Sequence, residues 1–375
     1  LGISIPKKIQ LTGNLQGSLA NLTANAVLQM PEGRIEVVGD YKNTDGLAFD
    51  AEVKTIELDL STLLQNESLG KISAEITTKG SGSSINTLDA ELNSNFTKLT
   101  YNDYDLSDLQ LSGKIKNGEG DVKAAFEDEN VNLNVDAFVK LDSIAPEADF
   151  KVDLQGIDLY ALGFTQKQIR GKLMLNGTYK GEKDAFMVDA KVDEAIAVYD
   201  NNPYYIGDLD IHTRIAQDST AVTVNGGFLN AKLFSNSNPT QFLKALQRHA
   251  THYFKEPEPR DSLQKPVRLY VETSISQRPI ISEVFIDGIE EMDSIHIKMG
   301  FSEEKEELVA DFNLPYVKYK ENTLDSLQLK LNSTAKKADF TFGFSGIDAG
   351  PLSIEKTFFE GHLTRDTLRL DFNSD

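Results

Sequence analysis

The chain has 375 residues, with 38 Lys plus Arg against 58 Asp plus Glu, a formal net charge of −20, and neither Cys nor Trp. That charge repels phosphate backbones and argues against nucleic-acid binding. The missing thiols exclude disulfide frameworks, zinc ribbons and Cys nucleophiles.

Hydrophobic residues at 40% suffice for a folded core. No run approaches the roughly 20 apolar residues of a membrane-spanning helix. A basic n-region followed by an apolar h-region is also missing. The chain opens at Leu1 and closes within an alternating run at Leu368 to Phe372. The expectation is a segment of a longer protein, with any export signal or anchor outside it.

Alternation with period two runs from end to end. Leu47, Phe49, Ala51 and Val53 alternate with Ala48, Asp50 and Glu52. Ile72, Ala74 and Ile76 follow, then Val122, Ala124 and Phe126, then Val131, Leu133 and Val135. Further on come Ile295, Ile297, Met299 and Phe301, then Leu308, Ala310, Phe312 and Leu314, then Phe340, Phe342 and Phe344. Gly, Asn, Asp, Ser or Pro bounds each run, as turn chemistry requires. Side chains on a strand point alternately to opposite faces, so each run gives one apolar and one wet face. Short connections imply antiparallel neighbours. The predicted class is all-β, a long antiparallel sheet that is apolar on one side.

Helical signals are few. Asn238 caps and Pro239 opens a predicted helix over Thr240 to Phe254, with Phe242, Leu246 and Tyr253 near one face. Shorter candidates are Ser61 to Gln65 and Tyr160 to Gly163. The polar stretch from Glu256 to Lys265 reads as a loop. The chain is read as one quasi-repetitive segment over residues 1–375, with a helical insertion, and any boundary, at 236–266.

Two units recur. Leu58-Asp-Leu60 with Leu69-Gly-Lys-Ile72 returns as Ile157-Asp-Leu159 with Arg170-Gly-Lys-Leu173, and a trace of it as Gly346-Ile-Asp348 with Gly361-His-Leu363. Tyr101, Tyr104, Leu106, Asp108 and Leu109 return as Tyr204, Ile206, Asp208 and Leu209, and again around Tyr319 and Leu324.

A one-sided apolar sheet must cover that side, by closing on itself or with a ligand. About two dozen strands at about 4.8 Å would span roughly 115 Å, far beyond the width at which open sheets curl. A curled sheet makes a trough with its apolar face inside. Leaving a few thousand Å2 uncovered would cost tens of kcal/mol at about 25 cal/mol per Å2. Acyl chains fill such a trough without specific polar contacts. The stripes fit the inside of a closed sandwich as well as an open groove.

Four stretches carry a family resemblance. They are Ile5 to Leu19 (IPKKIQLTGNLQGSL), Tyr101 to Gly113 (YNDYDLSDLQLSG), Gly156 to Phe164 (GIDLYALGF) and Pro279 to Gly288 (PIISEVFIDG). Together the chain resembles the TamB/AsmA-like proteins of the bacterial envelope, in their Bacteroidota version, and would be a middle segment. The resemblance implies an elongated, taco-like β-groove in the periplasm, bridging inner and outer membranes. It implies phospholipid movement, outer-membrane protein assembly, an inner-membrane anchor and an Omp85-type barrel as partner, the last two outside this segment. Under it, the groove lining would be Phe49, Ala51, Val53, Ile72, Ala74, Ile76, Val122, Ala124, Phe126, Ile295, Ile297, Met299, Phe301, Phe312, Phe340, Phe342 and Phe344. Phe242, Leu246 and Tyr253 would cap it.

Other constellations are incomplete. His249 and His252, three apart with Glu256 nearby, lack a third ligand and read as a solvated helix face. Asp103, Asp105 and Asp108 lack the Gly and terminal Glu of a calcium loop. Gly80-Ser-Gly-Ser-Ser84 lacks the Lys of a phosphate cradle and reads as a hairpin loop. His212, His296 and His362 have no nucleophile motif beside them. Neither an enzyme, a metal nor a cofactor is expected, although diffuse carboxylate pairs of the glycosidase kind stay open. A transmembrane barrel is disfavoured, since many runs fall short of the roughly 9–11 residues required and Trp is absent. Ser143, Ser219, Ser262, Ser294, Ser326 and Thr367 follow Asp in a pattern resembling O-glycosylation acceptors in exported proteins of that kind. Asp-Ser ending a turn is the favoured explanation.

Overall fold

The computed structural model describes residues 6 and 8–374, apart from 45, 103, 183, 255–264 and 365. The fold is all-β, with 69% strand and 8% helix, and it is not closed into a barrel. The chain packs as two units, Leu1–Gly181 and Glu182–Asp375. Every described strand pairing is antiparallel.

In the first unit, β1 (Gln10–Ser18), β2 (Asn21–Met30), β3 (Gly33–Asn43) and β4 (Leu47–Asp59) form successive hairpins. The helical turn α1 (Leu60–Leu64), capped by Asp59, leads into β5 (Leu69–Gly82) and β6 (Asp89–Tyr101). The short β7 (Tyr104–Leu106) pairs with one end of β6, and β8 (Leu109–Lys116) with the rest. The meander continues through β9 (Glu119–Glu127), β10 (Val131–Lys140), β11 (Glu147–Asp158) and β12 (Ile169–Glu182). Among the described residues β1 pairs only with β2, so the unit has an open edge.

The second unit repeats the plan. The long β13 (Ala185–Tyr199) is matched by β14 (Asn202–Tyr205) at one end and β15 (Leu209–Ala216) along the rest. This is the β6, β7, β8 arrangement again, and it is the physical content of the recurring Tyr and Asp unit. Next come β16 (Ser219–Gly226), β17 (Leu229–Ser235), helix α2 (Pro239–Thr251) and β18 (Arg268–Ile275). A six-residue π-helical turn, Ile280–Phe285, precedes β19 (Ile289–Met292) and β20 (Ile295–Ser302). The sheet ends with β21 (Glu307–Tyr319), β22 (Asn322–Ser333), β23 (Ala338–Phe344), β24 (Gly346–Ala349), β25 (Leu352–Ile354), β26 (Thr357–Thr364) and β27 (Thr367–Ser374).

Sequence expectation and structure differ in four places. The helix ends at Thr251, not Phe254, and Tyr160 to Gly163 forms turns without a helix. The stretch 236–266 does not separate two units. β17 pairs directly with β18 across it, Leu233 opposite Val271, and α2 docks back on those strands. The π-helical turn carries no alternation or cap signal and goes unseen in the sequence.

Register shifts gather along one line of the first sheet. They fall between Thr55 and Leu58, between Ser73 and Ala74, between Asn132 and Leu133, and between Leu154 and Ile157. A β-bulge bends its strand and raises the local twist, so a row of them creases the sheet. Glu57 sits in this line at φ 48, a conformation unfavourable for a side chain that has a Cβ. It is held there from both ends. Its N–H donates to Ser73 Oγ at 2.9 Å, and its carboxylate meets Lys71 at 3.0 Å and Lys98 at 3.3 Å.

Candidate functional site

Pairing register brings the alternating runs into continuous rows. In the first unit one row reads Val53, Ile76, Ser94, Leu111, Ala124, Val135, Val152, Leu175. A second reads Ala51, Thr78, Leu92, Gly113, Val122, Ala137, Phe150, Gly177. Phe49, Gly80, Ala90 and Ile115 lie in a third, Ala74 and Phe96 in a fourth. No charged residue stands in these rows. Eight strands at about 4.8 Å and four rows two residues apart make a face of about 34 by 20 Å. That is larger than the roughly 300–600 Å2 apolar patch of a typical monomer.

No second layer lies over this face among the described elements. Among the described residues the large side chains are almost all partly exposed; below 2% exposure stand Ala74, Ala245, Val284 and Ser333. Total accessible surface is 23,018 Å2, whereas a compact 41.5 kDa monomer would expose about 14,800 Å2. The excess belongs to single sheets whose faces are not stacked on another layer.

Glycines serve this face by admitting rings. Phe49 lies over Gly80 and Phe340 over Gly361, and a Cβ at Gly361 would stand 2.1 Å from the Phe340 ring. Beside Phe49, Gly80, Ala90 and Ile115 border a hollow of about 410 Å3.

The opposite face is laced with cross-strand ion pairs. Lys54 meets Glu75 at 2.6 Å, Lys123 meets Asp136 at 2.9 Å and Lys298 meets Glu272 at 3.1 Å. Lys114 and Lys79 both reach Glu91, at 2.7 and 2.8 Å, and lower its carboxyl pKa to about 2.

In the second unit Thr273, Ile297, Phe312, Leu329, Phe342, Phe359 and Phe372 form one row. Val271, Met299, Ala310, Leu331 and Phe340 form the next, and Leu269, Phe301 and Leu308 the one beyond. Helix α2 covers that last row and packs against Val271 and Met299 of the middle one. Phe242 and Ala245 pack on Val267, Leu269 and Phe301, with Leu246, Leu233, Val271, Met299 and Leu308 around them. Exposure follows: Phe301 is 4% exposed, but Phe342 is 38% and Phe372 62% exposed.

Polar bonds fix the C-terminal half of α2. Arg248 meets Glu303 at 2.7 Å, His249 Nε2 meets Ser333 Oγ at 2.7 Å, and His252 Nε2 meets the Ala335 carbonyl at 2.6 Å. The Tyr253 hydroxyl donates to the Thr334 carbonyl. The histidines expected on a solvated face are therefore docking groups, and burial lowers the pKa of His249. Their partners lie more than eighty residues away, where local sequence gives no sign of them.

The expected lining residues fall on this apolar face. Phe49, Ala51, Val53, Ala74, Ile76, Val122, Ala124 and Phe126 share the four rows of the first unit, while Ile72 lies past the bulge, opposite Leu58 and Leu99. Ile295, Ile297, Met299, Phe301, Phe312, Phe340, Phe342 and Phe344 share the face of the second. Leu92, Phe150, Leu175, Phe359 and Phe372 belong to the rows but are missing from that expected lining. Adjacent Phe358 and Phe359 hide which ring faces inward.

The remaining candidates are accounted for locally. His212 meets Asp189 at 2.6 Å and His362 meets Asp339 at 2.9 Å, both across strands, while His296 is exposed. Asp103 and Glu256 lie outside the described residues. Asp105 accepts from Thr100, and among the described residues no cluster suited to a metal occurs. Gly80 to Gly82 finish β5, and Ser84 opens a short turn with Thr87. Ser143 and Thr367 are exposed, Ser219, Ser294 and Ser326 are half-buried, Ser294 bonds Ser276 at 3.0 Å, and Ser262 lies outside the described residues.

The fold and faces define an antiparallel β-sheet protein, not closed into a barrel, with an incompletely covered apolar face in each unit. No known family, curated protein or solved structure matches the chain.

Proposed function

We propose that each unit shelters phospholipid acyl chains on its apolar face. The wider role would be that of a periplasmic β-groove of the TamB/AsmA-like kind, bridging inner and outer membranes. The carrying observation is the set of uninterrupted uncharged rows over which, apart from the part under α2, no second protein layer lies among the described residues. Burial is worth about 25 cal/mol per Å2, and a hydrocarbon chain supplies it without hydrogen-bond partners. An extended peptide laid on the face would bring polar backbone that it cannot satisfy.

The test is lipid extraction and mass spectrometry on the purified chain, with native mass spectrometry for stoichiometry. Bound phospholipid that is lost when Val135 or Ile297 is replaced by Asp supports the reading. A lipid-free, monodisperse chain sinks it.

A second reading, a non-enzymatic scaffold for outer-membrane protein assembly with an Omp85-type barrel, is favoured by one observation. The nine-residue β1 contains neither Lys nor Pro, is exposed throughout, and pairs on one side only among the described residues. Such an edge can accept a further strand. Strand-peptide binding that is abolished by Leu15→Pro, with no lipid bound, would select it.

A further inference from the structure

We infer that α2 is a fixed wall on the apolar face of the second unit, and that one acyl chain lies beyond it across the strands, along Phe312, Leu329, Phe342, Phe359 and Phe372. This rests on the acyl-chain reading above and assigns the seat and its direction.

Two observations place the wall. The helix spends its apolar side on Leu269 and Phe301, so that row is already filled. Its C-terminal half and the residues just after it are bonded through Arg248, His249, His252 and Tyr253 to the end of β22, the turn after it and the turn between β20 and β21. A helix held by a half-buried ion pair and three further bonds is part of the lining and does not act as a removable lid.

The seat follows from what the wall leaves. Along the strand direction, α2 blocks one end of the face. At the other end Ile280, Ser282 and Val284 of the π-helical turn are buried, and Glu283 accepts from Tyr204 at 3.0 Å. Across the strands nothing interrupts the row. From β21 to β27 it crosses four strand spacings, about 19 Å. Its rings form a continuous strip, Phe342 and Phe359 stacked at 6.5 Å and Phe359 tilted on Phe372 at 5.2 Å. The row carries no charge and no hydrogen-bonding side chain between Phe312 and Phe372. An unbranched hydrocarbon meets those terms. A peptide laid in the same place would bury unpaired amides.

The natural absence of Trp makes the test clean. Phe342→Trp, Phe359→Trp, Phe301→Trp and, in the first unit, Phe150→Trp are prepared singly in the full chain, and folding is checked by far-UV circular dichroism. The probe is stearic acid carrying a nitroxide quencher. The expected result is loss of most emission in Phe342→Trp and Phe359→Trp, and little loss in Phe301→Trp. Equal quenching of Phe301→Trp would overturn the wall. Quenching of Phe150→Trp without Phe342→Trp or Phe359→Trp would overturn the seat while leaving the acyl-chain reading intact. No quenching in any variant would overturn both. Phe359→Trp keeps the seat testable if Phe342→Trp misfolds.

Discussion

Two phenylalanines of one sheet should differ sharply in what they contribute to stability. Phe301 is 4% exposed, enclosed by α2 and packed edge-on to His249 at 5.4 Å. Truncating it leaves a closed cavity, and Phe301→Ala should cost about 3–5 kcal/mol. Phe342 is 38% exposed and touches protein on one side. Water fills the space its ring leaves, so no cavity forms and only transfer is lost. Full burial of such a side chain is worth about 1.5–3 kcal/mol, and three-fifths of that is about 1–2 kcal/mol. Urea titration of both variants, stripped of lipid, measures the difference as a shift in midpoint at unchanged slope. A gap of about 2 kcal/mol is expected from these terms. Equal losses near the larger figure would mean that Phe342 is enclosed, and the argument from an uncovered face would fail.

Three further outcomes follow from the same geometry. Ile297→Asp should abolish most lipid retention, measured by extraction and mass spectrometry, because a carboxylate among acyl chains is costly. Lys298→Asp, one residue away on the wet face, should leave retention unchanged, since the exposed pair it breaks with Glu272 is worth under about 1 kcal/mol. Acid should loosen α2. The pKa of His249 is lowered below 6.5, first by burial and then by His252, with Glu306 opposing and Ser333, Tyr253 and the Arg248–Glu303 pair packed around it. The undocked imidazole takes up a proton first, so docking is fully present above about pH 6.5 and weakens as pH falls below it. His249→Gln should flatten the urea midpoint between pH 7 and 5, above the range in which the paired carboxylates titrate. Asn238→Ala removes the side chain that accepts from Gln241 N at 3.0 Å in a capping box, and should cost about 1 kcal/mol, read as faster hydrogen exchange in α2.

Much of the strand structure was legible because its signal is local. Ile295, Ile297, Met299 and Phe301 lie on one face for a reason internal to the strand, the alternation of Cβ directions. The cap at Asn238 and the Asp59 and Asp158 turns are equally local, since each side chain bonds a backbone N–H two or three residues on. The histidines of α2 were misread because their partners, Ser333 and Ala335, are far off in sequence. The paired rings of Phe342 and Phe359 depend on β23 meeting β26 across the small insertion of β24 and β25. No windowed pattern encodes that meeting.

Sequence by itself determined that this chain is an antiparallel β protein with one apolar and one charged face, because strand periodicity and turn chemistry act over a few residues. Tertiary structure alone decided that the sheet stays open, where α2 docks, and which rings align into a row. Those outcomes depend on register and packing between residues tens of positions apart, and the same alternation would fit a closed sandwich equally well.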